Sequence, residues 1–106
     1  MLDAAREAVM FTKDQDRKTL DGDRKLVLSL VKSIEIIGEA ASKVSDERRK
    51  KMPDIPWIEI IGMRHRLIHA YFDVDLDILW STVENNIPPL IKELEKALSS
   101  GNNENK

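Results

Sequence analysis

Every periodic segment of the chain repeats its apolar residues at helical spacing. There is no period-2 strand run and no Asn-Gly or Asp-Gly hairpin turn between alternating apolar residues. The first helix is expected over about residues 1–14, with Leu2, Ala5, Val9 and Phe11 facing inward. The polar stretch 15–22 is expected to be a loop. A second helix should run from about Asp23 to Val44 on a stripe of Leu26, Val27, Leu30, Val31, Ile34, Ile37, Ala41 and Val44. Gly38 joins that stripe, where a missing side chain lets another helix approach closely. Leu28, Ile36 and Ala40 lie outside the stripe, and a helix apolar on two sides has two neighbours. In so small a domain one of those neighbours can be another subunit.

Residues 45–54 read as a charged connector whose basic run, Arg48-Arg49-Lys50-Lys51, is expected to be solvated. A rim that attracts phosphate is the lesser alternative. A third helix starts around Pro56, a residue suited to a first helical turn, and is expected to end near Phe72. Asp73 or Asp75 can cap a fourth helix, with Leu76, Leu79, Trp80 and Val83 inward. Pro88-Pro89 should kink that helix or stop it at Asn86, with Ile91, Leu94 and Leu98 continuing an apolar face. The sum is an all-α, up-and-down four-helix bundle in one domain over residues 1–98, with a disordered tail over 99–106.

The third helix holds an anomaly. At about 100° per residue, Trp57, Ile60, Ile61, Leu67, Ile68, Tyr71 and Phe72 form one stripe, and Arg64 falls near its middle. An unpaired guanidinium facing a core would cost several kcal/mol. Either a carboxylate from the second helix pairs with it, Glu35 and Glu39 being in reach, or the arginine serves a site. His69 and Tyr71 stand nearby, and arginine, imidazole and phenol are all phosphate-compatible groups. Five residues on an ideal helix separate Arg64 from His69 by about 140°. One straight helix therefore cannot aim both at one atom, whereas a helix that ends before His69, or a two-fold pair of helices, can bring them together.

Composition narrows the alternatives. The chain has 106 residues, 42% of them apolar and 34% charged, with a net charge of −2. No broad basic field marks a nucleic-acid scaffold, although one local basic site is compatible with this balance. Without cysteine there is neither a disulfide nor thiolate zinc. The N-terminus has no signal-peptide pattern and no apolar run nears a membrane span, so a soluble, cytoplasmic protein is expected. His65, His69 and Asp73, at i, i+4 and i+8, would share a helical face and could hold a divalent metal. Arg66 lies beside them and no fourth ligand is evident, so no metal or cofactor is assigned.

The pattern Arg64-x4-His69-x-Tyr71, set in Trp57-x-Glu59-Ile60-Ile61-Gly62-Met63-Arg64-His65-Arg66-Leu67-Ile68-His69-Ala70-Tyr71-Phe72, resembles the HEPN superfamily and specifically its HepT-like toxins. Ser33 to Ala41 is similar to that family's second helix, Pro53 to Trp57 to its lead-in, and Phe72 to Asp75 with Trp80 to its exit. His65 and Ala70 depart from the asparagine and glycine usual there. The resemblance implies a dimeric, metal-independent endoribonuclease with Arg64 and His69 as the catalytic pair at the two-fold interface. It implies the toxin role in a type VII-like toxin–antitoxin pair. Tyr71 would be the residue that the antitoxin, a minimal nucleotidyltransferase called MntA, modifies with AMP. Glu35 and Glu39 are assigned to orienting Arg64. The alternative from another class is a non-catalytic nucleotide-binding or assembly module that partners a nucleotidyltransferase, which the acidic net charge favours.

Overall fold

The computed structural model describes residues 1–70 and 73–104, with the backbone alone at 68–70, 73 and 100–104. The architecture is all-α with one minimal β ladder. Helix α1 spans Leu2–Thr12, α2 Thr19–Gly22, α3 Arg24–Ser42, α4 Asp46–Lys51, α5 Trp57–Leu67, α6 Leu76–Ser81 and α7 Ile87–Glu104. Strands β1 (Ile68–Ala70) and β2 (Asp73–Val74) lie between α5 and α6 and pair antiparallel. No helix among the described residues is long and apolar enough to cross a membrane.

Helix α3 forms the centre of the bundle, packed against α1 on one side and α5 on the other. Its start is set by Asp23, whose carboxylate accepts the Leu26 N–H at 3.0 Å, one of the donors left over at any helix start. Val27, Leu30, Val31, Ile34, Ile37 and Ala41 are buried on it, as the stripe predicts. A β-carbon placed on Gly38 would sit 3.4 Å from the Ile60 carbonyl oxygen of α5, so the absent side chain permits a close backbone approach. Helix α1 presents Ala4, Ala5 and Ala8 to the core. Phe11, expected inward, is exposed instead, because α1 ends at Thr12 and the small alanines carry the contact.

Two segments expected to be loops contain helix. Residues 19–22 form α2, tied to α6 by Arg17, whose Nε donates to Asp77 at 2.8 Å and whose Nη1 donates to Asp21 at 3.0 Å. These bonds, to Asp21 first and then Asp77, raise the Arg17 pKa still further above the neutral range. Residues 46–51 form α4, capped by the Ser45 hydroxyl, which accepts the Arg48 N–H at 3.2 Å.

Of the two outcomes expected at Pro88-Pro89, the helix is not terminated: α6, a π turn and α7 follow one another without a gap. The irregularity lies one turn earlier, where Thr82–Asn86 form a π turn and the Ile87 N–H donates to the Thr82 carbonyl five residues back. Beyond it Ile87, Leu90 and Leu94 are buried, while Leu98 is exposed. The backbone of α7 continues as helix to Glu104, past the position where the apolar face ends.

Candidate active site

Arg64 lies on the last turn of α5, and its Nε donates to Glu35 Oε1 of α3 at 2.8 Å. The two side chains are 51% and 31% exposed, so this ion pair sits on the bundle's flank and not in its core. That corrects the expected position of Arg64. Helix α5 ends at Leu67, so positions 68 and 71 fall beyond it and no longer extend the stripe around Arg64. The row that faces the core is Trp57, Ile60, Met63 and Leu67. At 100° per residue its mean direction lies about 45° away from Arg64. The close passage at Gly38 holds α3 and α5 near enough for Glu35 to reach the guanidinium.

The early end of α5 also changes how Arg64 relates to His69. The expected helix to Phe72 gives way after Leu67 to β1, which carries His69 in extended backbone. Ile68 pairs with Val74 and Ala70 with Asp73, with an irregularity between the two pairs. The Asp75 N–H closes the ladder on the Leu67 carbonyl at 2.7 Å. The Asp75 carboxylate in turn caps α6 through the Ile78 N–H at 3.0 Å. One end of the strand pair is therefore tied through Asp75 to the last residue of α5 and the first turn of α6. The separation of about 140° around a helix does not apply across this break. Tyr71 lies outside the described residues, as does the side chain of His69.

Glu39 does not reach Arg64. Its carboxylate pairs with Lys43, one turn on, at 3.4 Å. Of the two acidic residues assigned to orienting Arg64, the structure brings only Glu35 to it. His65 is exposed, and with α5 ending at Leu67 the helical face it would share with His69 and Asp73 does not form. No group of three or more potential metal ligands occurs among the described residues.

Arg49 organises the neighbouring corner in a way its run of like charges concealed. Its Nη2 donates to the carbonyls of Ala41 at 3.1 Å and Ser42 at 3.3 Å. Both carbonyls lie in the last turn of α3, where a cation is favoured, and that of Ala41 also accepts the Val44 N–H at 3.2 Å. The guanidinium also lies 5.9 Å from the centroid of the Trp57 ring, within cation–π range. The Trp57 indole N–H donates to the Met52 carbonyl at 3.2 Å. A basic residue shortly after a helix end is the one sequence signal for such a contact.

Two cavities lie away from Arg64. One, of about 160 Å³, sits between α5 and the start of α7 over Ile60, Met63, Ile87 and Leu90. The other, of about 450 Å³, lies between α1 and the π turn and includes Trp80, Val83, Arg6 and Lys13.

Comparison with known proteins agrees with this architecture. The family described as ribonuclease HepT-like matches residues 1–97. A Methanocaldococcus jannaschii protein named "Putative RNase MJ1380" is 36% identical over 90% of this chain and 87% of its own length. A second from that organism, "Putative RNase MJ0125", is 38% identical over 87% of this chain and 79% of its own. "Probable ribonuclease HepT" of Thermococcus cleftensis is 43% identical over 70% of this chain and 67% of its own. No solved structure matches the chain. With a family match that takes in the bundle up to residue 97 of α7, both strands and the Arg64–Glu35 flank, this chain belongs to the HepT-like ribonuclease family.

Proposed function

We propose that this protein is a metal-independent RNA endonuclease in which Arg64 and His69 act on the scissile phosphate and Glu35 positions Arg64. The observation that carries this reading is the break in α5. A charge-oriented arginine stands at the helix end, and the backbone leaves the helix between it and the only histidine besides His65. Arginine suits the developing charge on a phosphorane-like transition state, and an imidazole can move a proton at neutral pH.

Cleavage without a metal needs a base and an acid. The ribose 2′-hydroxyl loses its proton to one imidazole while its oxygen bonds to phosphorus. The bond from phosphorus to the 5′-oxygen breaks, and that oxygen takes a proton from a second imidazole. The products are a 2′,3′-cyclic phosphate and a free 5′-hydroxyl. A two-fold homodimer supplies both imidazoles as two copies of His69, along with two arginines. Leu28 and Ile36, 49% and 43% exposed on the α3 face around Glu35, support a partner surface there.

In this reading the protein is the toxin of a type VII-like pair. The antitoxin is a nucleotidyltransferase of the MntA kind that adds AMP to Tyr71. Added phosphates would place negative charge and bulk two residues from His69 and oppose an incoming RNA phosphate.

Purified protein free of AMP should cut RNA in EDTA and leave 2′,3′-cyclic ends, and His69→Ala should abolish cutting while the melting temperature is kept. Intact RNA under these conditions would sink the enzyme reading in favour of a non-catalytic module. Intact mass after co-expression with the antitoxin tests the control point: whole AMP increments absent from a Tyr71→Phe variant are expected.

A further inference from the structure

Helix α4 is held in an unusual way for a charged segment. Its only partly buried residue among 46–51 is Arg49, fixed on the α3 carbonyls and the Trp57 ring. At 100° per residue Arg49 points about 170° from the mean direction of Arg48, Lys50 and Lys51. Anchoring one basic residue therefore turns the other three outward. All three are exposed, and none forms an ion pair among the described residues. Asp46 and Glu47 stand four residues before Lys50 and Lys51, yet no salt bridge forms between them.

The position of α4 matters as much as its charge. Arg49 meets α3 at Ala41 and Ser42, six and seven residues beyond Glu35, and meets α5 at Trp57, seven residues before Arg64. At 1.5 Å per residue both paths put the Arg49 anchor of α4 about 10 Å along the α3–α5 pair from the level of Arg64. That is a few phosphates along a nucleic-acid strand. A chain of net charge −2 has no overall attraction for RNA, so its affinity must come from local concentrations of cations.

We infer that α4 is a phosphate-binding tract for the RNA strand, with Arg48, Lys50 and Lys51 gripping the backbone a few nucleotides from the bond at Arg64. The inference rests on RNA being the substrate class and assigns the tract no part in the chemistry. Contacts of this kind position a strand without reading its sequence.

The test uses the uncut complex. His69→Ala protein is titrated with a labelled 20-nucleotide single-stranded RNA between 50 and 200 mM salt. Three phosphate contacts contribute about 2 to the slope of log affinity against log salt concentration. Replacing Arg48, Lys50 and Lys51 together by Gln should flatten the slope by about that amount. Affinity should fall on the order of tenfold to a hundredfold near 0.1 M. A control replacing the exposed Lys25, Lys92 and Lys96 by Gln removes the same charge and should leave the slope near its starting value. An unchanged slope in the α4 variant, or an equal change in the control, overturns the proposal. So does RNA binding that survives while binding to phosphatidylglycerol vesicles is lost, which would assign α4 to a membrane surface. The outcomes separate from those of the cleavage reading. Wild type that cuts nothing while the α4 variant flattens the slope refutes only the chemistry. Wild type that cuts RNA while the slope stays fixed refutes only the tract.

Discussion

Arg64–Glu35 and Arg6–Glu95 look alike. Each joins two helices through a guanidinium–carboxylate contact of 2.8 Å, and each leaves both side chains substantially solvated. On energetic grounds they are equals, since exposed pairs contribute about 0–1 kcal/mol. Their surroundings differ. Arg6 and Glu95 stand on α1 and α7, with uninterrupted helix on either side. Arg64 stands three residues before α5 gives way to β1, beside an α3 face that carries exposed apolar residues. The same contact can thus be a clasp in one place and a positioning device in the other, and only the neighbourhood distinguishes them.

The sharpest way to break the comparison is Arg64→Ala. Loss of a transition-state charge partner should lower the cleavage rate about 10²- to 10³-fold, with the unfolding free energy moved by no more than about 1 kcal/mol. A melting curve beside a cleavage assay checks both halves. Equal behaviour of Arg64→Ala and Arg6→Ala in the cleavage assay would erase the distinction. Glu35→Gln keeps the shape but removes the charge that holds Arg64. It should cost roughly tenfold in kcat, on the scale of one charge-assisted hydrogen bond, with KM changed less. Gly38→Val tests the approach that brings the pair together. A branched side chain against the Ile60 carbonyl should destabilise by about 1–3 kcal/mol, measured by urea unfolding. The smallest effect belongs to Arg6→Ala, which should shift stability by less than about 1 kcal/mol and leave cleavage unchanged.

The legibility of these regions in the sequence follows their physics. Helix α3 was readable because a capping aspartate and a long apolar stripe agree on one element. The end of α5 was not, because residues 67–72 are apolar apart from His69 and lack the glycine that punctuates a helix C-terminus. Carrying the helix through them pulled the centre of the stripe onto Arg64 and hid Met63, which is the buried neighbour. The packing conflict that singles out Arg64 in the sequence is therefore absent from the fold, whereas its pairing with Glu35 is one of the two alternatives the sequence offers. Helix α4 escaped because it has no apolar row. It is held by a serine cap and by one arginine on carbonyls contributed by another helix, and neither produces a periodic signal.

The π turn before the prolines has a consequence of phase. The buried row Leu79, Val83, Ile87, Leu90 and Leu94 advances by steps of four, four, three and four residues. A strict α-helix would carry such a row about 60° around its axis over that length. One widened turn absorbs about that drift and keeps the two halves of this helix facing the same core. The chain thus counts residues there as well as choosing them. Removing one residue from 82–86 should rotate α7 against the bundle, a disturbance that no single side-chain replacement in the turn would produce.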